Sequence, residues 1–153
     1  MSHLLARLTV LVVDDEPDFG SIIARQLRAQ AEVLFAASIA AATELLATER
    51  IDVVLCDLNM PCGGGPAVEA LIAQARPELL ARTVYVTGGA FTPASEAFLA
   101  RAVGRRLFKP FSPEALRAAV ARAHAAAGAI RHLGLRVCGR QPPDAVQRSQ
   151  LFR

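Results

Sequence analysis

The sequence predicts an α/β fold, a doubly wound parallel five-stranded sheet with helices on both faces. Three observations carry the prediction. Short apolar runs rich in β-branched residues recur, unbroken rather than alternating, as in strands buried on both faces. Each run is followed by a segment with helical spacing. The 153 residues, 53% hydrophobic and 20% charged, suffice for one domain with a buried core and a short extension.

Leu8–Val13 (LTVLVV) is the first strand, and Pro17 opens the first helix, with Phe19, Ile22, Ile23 and Leu27 at helical spacing. Ala31–Ala36 is the second strand. Ser38 is placed to cap a second helix that runs to about Glu49, with Leu45 and Leu46 inward. Ile51–Cys56 is the third strand; the turn-rich Pro61–Pro66 and a helix over Ala67–Ala75 follow. Thr83–Val86 is the fourth strand, ended by Gly88-Gly89, and Pro93–Ala102 is a helix. Arg106–Phe108 is a short fifth strand. Ser112-Pro113-Glu114 combines a cap, an early proline and an early acid, and opens a last helix to about Ala127. The folded domain is assigned to residues 1–127. Residues 128–153, with Gly128, Pro142-Pro143 and five arginines, read as a basic tail, disordered in part or begun by an extension of the last helix.

The formal net charge of +3 is unevenly spread. Residues 1–100 carry six basic and 12 acidic side chains, and residues 101–153 carry eleven and two. Of the 17 basic residues only Lys109 is a lysine. Three cysteines do not make a disulfide scaffold, and their spacing does not suit zinc. Cys56 reads as core and Cys62 as loop filler. No apolar run is long enough to span a membrane, and the first one is too short for a signal-peptide core. The expectation is a cytoplasmic protein without membrane insertion.

Functional groups in an open parallel sheet collect at the carboxyl ends of the strands. Here those ends carry Asp14-Asp15-Glu16, Asp57, Thr87-Gly88-Gly89 and Lys109-Pro110. Clustered carboxylates repel and resist ionisation. A hard divalent cation resolves that conflict, and Mg²⁺ also accepts phosphate oxygens. A nucleophilic carboxylate, a metal, an ammonium and a hydroxyl donor suit the holding of a phosphoryl group on a carboxylate.

These motifs resemble the receiver domain of two-component response regulators. The residues that carry the likeness are Val12–Pro17, Asp57–Pro61 with Gly65, Val86-Thr87-Gly88 and Lys109-Pro110-Phe111, within about residues 8–125. The resemblance implies the flavodoxin-like strand order 2-1-3-4-5. It implies Asp57 as phospho-acceptor, Thr87 as switch hydroxyl and Lys109 as phosphoryl contact. Asp15, Asp14 through water, Asp57 and the backbone carbonyl of Asn59 would hold Mg²⁺ or Mn²⁺, and the Lys109–Pro110 peptide is expected cis. A histidine kinase or phosphotransfer protein is the implied phosphodonor. An unknown downstream protein would dock on the face of the fourth helix, fifth strand and fifth helix. The implied role is a switch with self-dephosphorylation, not a turnover enzyme; with no output domain of recognisable size, a stand-alone receiver that signals by docking is expected.

Arg106 departs from the family, which often has Tyr or Phe there. It reads as a solvated edge-strand arginine, with a contact to an acidic partner as the alternative. Together with Val86–Pro93 it is similar to receivers attached to hybrid histidine kinases. Gly89 and Asn59 predict a phosphoryl pocket open to water. A phosphohydrolase of the haloacid dehalogenase type is disfavoured, because Asn59 stands where its acid/base aspartate would be. Nucleic-acid binding through the basic end is not expected, for want of aromatic interleaving and of room for a helix-turn-helix.

Overall fold

Runs such as TVLVV bury side chains on both faces, so they stand only in a sheet covered on both sides. The computed structural model describes residues 7–61, 63–89 and 92–132. Its strands are β1 (Leu8–Val13), β2 (Ala31–Ala36), β3 (Val53–Asp57), β4 (Thr83–Thr87) and β5 (Arg106–Phe108). Its helices are α1 (Pro17–Leu27), α2 (Ile39–Thr48), α3 (Gly64–Ala75), α4 (Pro93–Arg101) and α5 (Pro113–His132). All strand pairs are parallel, in the order β2-β1-β3-β4-β5, so the expected architecture is the observed one.

Strand residues alternate between two cores. Leu11, Val13, Val54, Cys56 and Tyr85 share one cluster with Leu46 of α2, Val68 and Ile72 of α3 and Phe98 of α4. Val10, Val12, Leu55, Val84 and Val86 share the other with Ile23 and Leu27 of α1 and Leu116 and Val120 of α5. Cys56 is buried, as expected. No helix among the described residues is long and apolar enough to cross a membrane.

Several element bounds differ from expectation. The third strand begins at Val53, because Asp52 is spent on β1: its amide donates to Thr9 O at 2.8 Å and its Oδ2 accepts from Thr9 N at 2.9 Å. Helix α3 begins at Gly64, not Ala67. Pro66 falls in its first turn, where a missing N–H leaves no helix bond unmade. A 3-10 turn over Pro77–Arg82, absent from the sequence reading, leads into β4. Its proline opens it, and the Thr83 hydroxyl closes it by donating to Leu79 O at 2.8 Å. Helix α5 passes Ala127 and continues to His132. Interior glycine costs a helix only about 1 kcal/mol against alanine, so Gly128 does not stop it. The expectations for Cys62, for Phe91 within Val86–Pro93 and for the tail beyond His132 lie outside the described residues.

Candidate functional site

The carboxyl ends of β1, β3, β4 and β5 meet along one rim. β1 ends at Val13, so Asp14 is the first residue past the strand, its amide still donating to Ala36 O at 3.1 Å. Its side chain is fully buried. Asp14 Oδ1 accepts from Glu16 N at 2.8 Å, which turns the chain toward α1 and leaves Asp15 exposed at the rim. Asp57 is the last residue of β3, one residue later than the expected strand end. Its Oδ1 accepts from Asn59 N at 3.2 Å, and Leu58 N donates to Val86 O at 2.8 Å, which holds the loop to β4.

Asp14, Asp15 and Asp57 each offer an oxygen, and the three oxygens lie within 4.8 Å of one another. Such an arrangement strains the charged state. Burial, then the neighbouring Asp57 and Asp15, push the Asp14 carboxyl above its ordinary value, against the opposing pull of the Glu16 amide and Lys109. Among the described residues Asp14 Oδ2 accepts no hydrogen bond. A buried carboxylate oxygen without a donor, beside two more carboxylates, fits a hard divalent cation with oxygen ligands.

Lys109 follows β5, and its amide donates to Thr87 O at 2.7 Å. The Lys109–Pro110 peptide is cis, as expected. Lys109 Nζ lies 3.6 Å from Asp14 Oδ2. Thr87, the last residue of β4, is fully buried, and its Oγ1 accepts from Gly89 N at 3.3 Å. Gly89 is exposed, with a φ of 95°. A bulky side chain there would therefore meet backbone strain.

The floor of the rim is made by Gly64. A Cβ built on it would sit 2.0 Å from Leu58 O, at a φ of 52°. Only glycine lets α3 start this close beneath the loop that follows Asp57. Arg106 is exposed on β5, its guanidinium 5.8 Å from the Phe108 ring and donating to Leu99 O at 3.4 Å. Two aromatic features escaped the sequence reading. Phe19 of α1 places its ring beside Lys109 Nζ. Tyr85, in register with Arg106, is fully buried under α4. Its hydroxyl donates to Glu69 Oε2 at 3.1 Å, and its ring meets Phe98 edge-on at 4.7 Å. Burial and the Glu69 carboxylate push its phenol well above the ordinary value. Both are long-range contacts, which residue spacing does not encode.

The family model for the response regulator receiver domain matches residues 10–121. The chain belongs to that family. Receivers are signalling domains of two-component systems. This one is 35% identical over 75 residues to the response regulator protein PilR of Pseudomonas aeruginosa, covering 48% of this chain and 17% of PilR. It therefore spans a small part of that curated relative. Its fold matches a CheY-like receiver domain protein of Methanospirillum hungatei JF-1 with a TM-score of 0.69 at 21% identity, over 82% of this chain and 99% of that one. It also matches the Vibrio cholerae chemotaxis protein CheY4 with a TM-score of 0.61 at 30% identity, over 77% and 99% of the two chains. A response regulator of Burkholderia pseudomallei, solved with a phosphorylated aspartic acid, calcium ion and citrate, matches with a TM-score of 0.63 at 25% identity, over 84% of this receiver and 74% of that chain.

Proposed function

We propose that this receiver is a phosphorylation-dependent switch that takes a phosphoryl group on Asp57 and signals by protein docking. The observation that carries the reading is the convergence of three carboxylates within 4.8 Å, with the chain's one lysine 3.6 Å from the most buried of them. The Burkholderia relative carries its phosphorylated aspartate and a divalent cation together, which supports the same pairing here.

In this reading an Asp57 carboxylate oxygen attacks the donor phosphorus. The bond from phosphorus to the donor atom breaks, and the leaving group departs with its electron pair: a histidine imidazole from a kinase or phosphotransfer protein, or acetate from acetyl phosphate. Asp14, Asp15, Asp57 and the Asn59 carbonyl would hold Mg²⁺ or Mn²⁺. The bound cation supplies charge neutralisation for the phosphoryl oxygens. Lys109, 3.6 Å from Asp14 Oδ2, would add a compact ammonium beside the group. The Thr87 hydroxyl, which accepts from the Gly89 amide, still has its own hydrogen to donate to a phosphoryl oxygen. Water later hydrolyses the acyl phosphate. The reading includes a cytoplasmic setting, residues 128–153 as an appendage to the receiver, and a downstream protein on the α4–β5–α5 face, where Arg106 and Phe108 are exposed.

The test is incubation with Mg²⁺ and acetyl phosphate, followed by intact mass and site mapping. Asp57 takes one phosphoryl group, and Asp57→Asn takes none. Modification elsewhere, or none in the wild type with saturating Mg²⁺, overturns the reading.

A further inference from the structure

Lys109 is held from two sides. Its Nζ lies 3.6 Å from Asp14 Oδ2 and 4.1 Å from the centroid of the Phe19 ring. An ammonium this close to an aromatic face is attracted by the negative face of the ring, and more strongly where water is excluded. Only 27% of the lysine side chain is exposed. The ring in turn is pinned. Phe111 meets it edge-on, with centroids 6.2 Å apart and ring planes at 81°. Phe19 stands on the first turn of α1, just past the acidic pair, and Phe111 stands just past Lys109-Pro110. An aromatic pair therefore fastens the segment that carries the carboxylates to the segment that carries the lysine, with the ammonium against it.

We propose that Phe19 is a positioning residue for phosphoryl transfer, its ring face fixing the Lys109 ammonium beside Asp14. The proposal rests on the reading of Asp57 as phospho-acceptor. A ring face attracts the cation without accepting its hydrogen bonds in the way a carboxylate does. The ammonium is thus placed at the rim with donors left over for a phosphoryl oxygen. A guanidinium at the same position would stack flat on the ring and engage Asp14 with its fork, leaving fewer donors aimed at the site. This gives a physical reason for the one lysine of an otherwise arginine-using chain.

The same lysine makes the test selective. Labelling with ¹³C,¹⁵N-lysine yields a single side-chain spin system, that of Lys109. In the wild type its ε-methylene protons are expected upfield of their free-peptide position, shifted by the Phe19 ring current. Phe19→Leu removes the shift while keeping an apolar side chain against the core, and Phe19→Tyr retains it. Phosphorylation of Asp57 by acetyl phosphate slows between about two- and thirtyfold in Phe19→Leu, the span of one cation–π contact, and recovers in Phe19→Tyr. The Mg²⁺ concentration for half-maximal stabilisation stays at the wild-type value in both. Should Phe19→Leu fail to fold, Phe19→Met carries the same comparison. An unshifted wild-type lysine, or Phe19→Leu phosphorylated at the wild-type rate, overturns the proposal and leaves Asp57 as acceptor. A wild type that takes no phosphoryl group overturns both.

Discussion

Two buried aspartates stand at opposite ends of the sheet and are treated in opposite ways. Asp52 lies at the amino-terminal rim. Its Oδ2 accepts from Thr9 N at 2.9 Å, and its Oδ1 lies 3.6 Å from the Arg50 guanidinium. Nearby on that rim the Thr83 hydroxyl donates to Leu79 O at 2.8 Å and Arg105 donates to Leu80 O at 2.7 Å, while the buried Arg82 Nε has no partner among the described residues. Asp14 lies at the carboxyl-terminal rim. It is more deeply buried, keeps one oxygen without a donor among the described residues, and faces two other carboxylates. At the amino-terminal rim the buried carboxylate is bonded to the backbone of its own sheet and contributes stability. At the other, three carboxylates share the one Lys109 ammonium, which leaves negative charge in excess and room for a cation.

That contrast can be broken by substitution. The largest effect is expected at Gly64→Ala, where the added Cβ would meet backbone at 2.0 Å. Overpacking and left-handed strain together cost about 3 kcal/mol, read as a drop in the midpoint of urea unfolding. Asp52→Ala comes next. It leaves the Thr9 amide without its acceptor and lowers stability by about 2 kcal/mol, with phosphorylation of Asp57 unchanged. Lys109→Arg moves function and spares stability: the acetyl phosphate reaction slows about tenfold, or about 1.4 kcal/mol, while thermal unfolding stays where it was. The smallest change should come from Asp14→Asn, and in the opposite direction. Removal of a buried charge among like charges raises the melting temperature of the metal-free protein by a few degrees, about 1 kcal/mol, and abolishes stabilisation by Mg²⁺. If Asp14→Asn and Asp52→Ala destabilise alike, the two rims do not differ as described.

Much of this was legible along the chain. Val12 to Glu16 could be read because a strand buried on both faces must end where charge begins, and the same logic marked Asp57 and Lys109. The start of α3 was not legible. Gly63-Gly64-Gly65 reads as a turn on composition alone, and only the close approach to Leu58 O shows that these glycines begin a helix. The extension of α5 past Gly128 was legible only as one of two alternatives, since one glycine lowers helix propensity without forbidding a helix. Phe19 read simply as the apolar face of α1; its contact with Lys109 joins positions far apart in the chain.

The sequence by itself determined the alternation of strand and helix, the parallel sheet and the residues at its carboxyl edge. Hydrophobic period and strand termination are local properties, and they suffice for that. The tertiary structure decided which carboxylate is buried without a donor, which oxygens converge, and which ring faces the lysine. Those depend on strand order and on the packing of α1 and α3 across the sheet, where residues distant in sequence come within a few ångströms and each sets the electrostatic environment of the next.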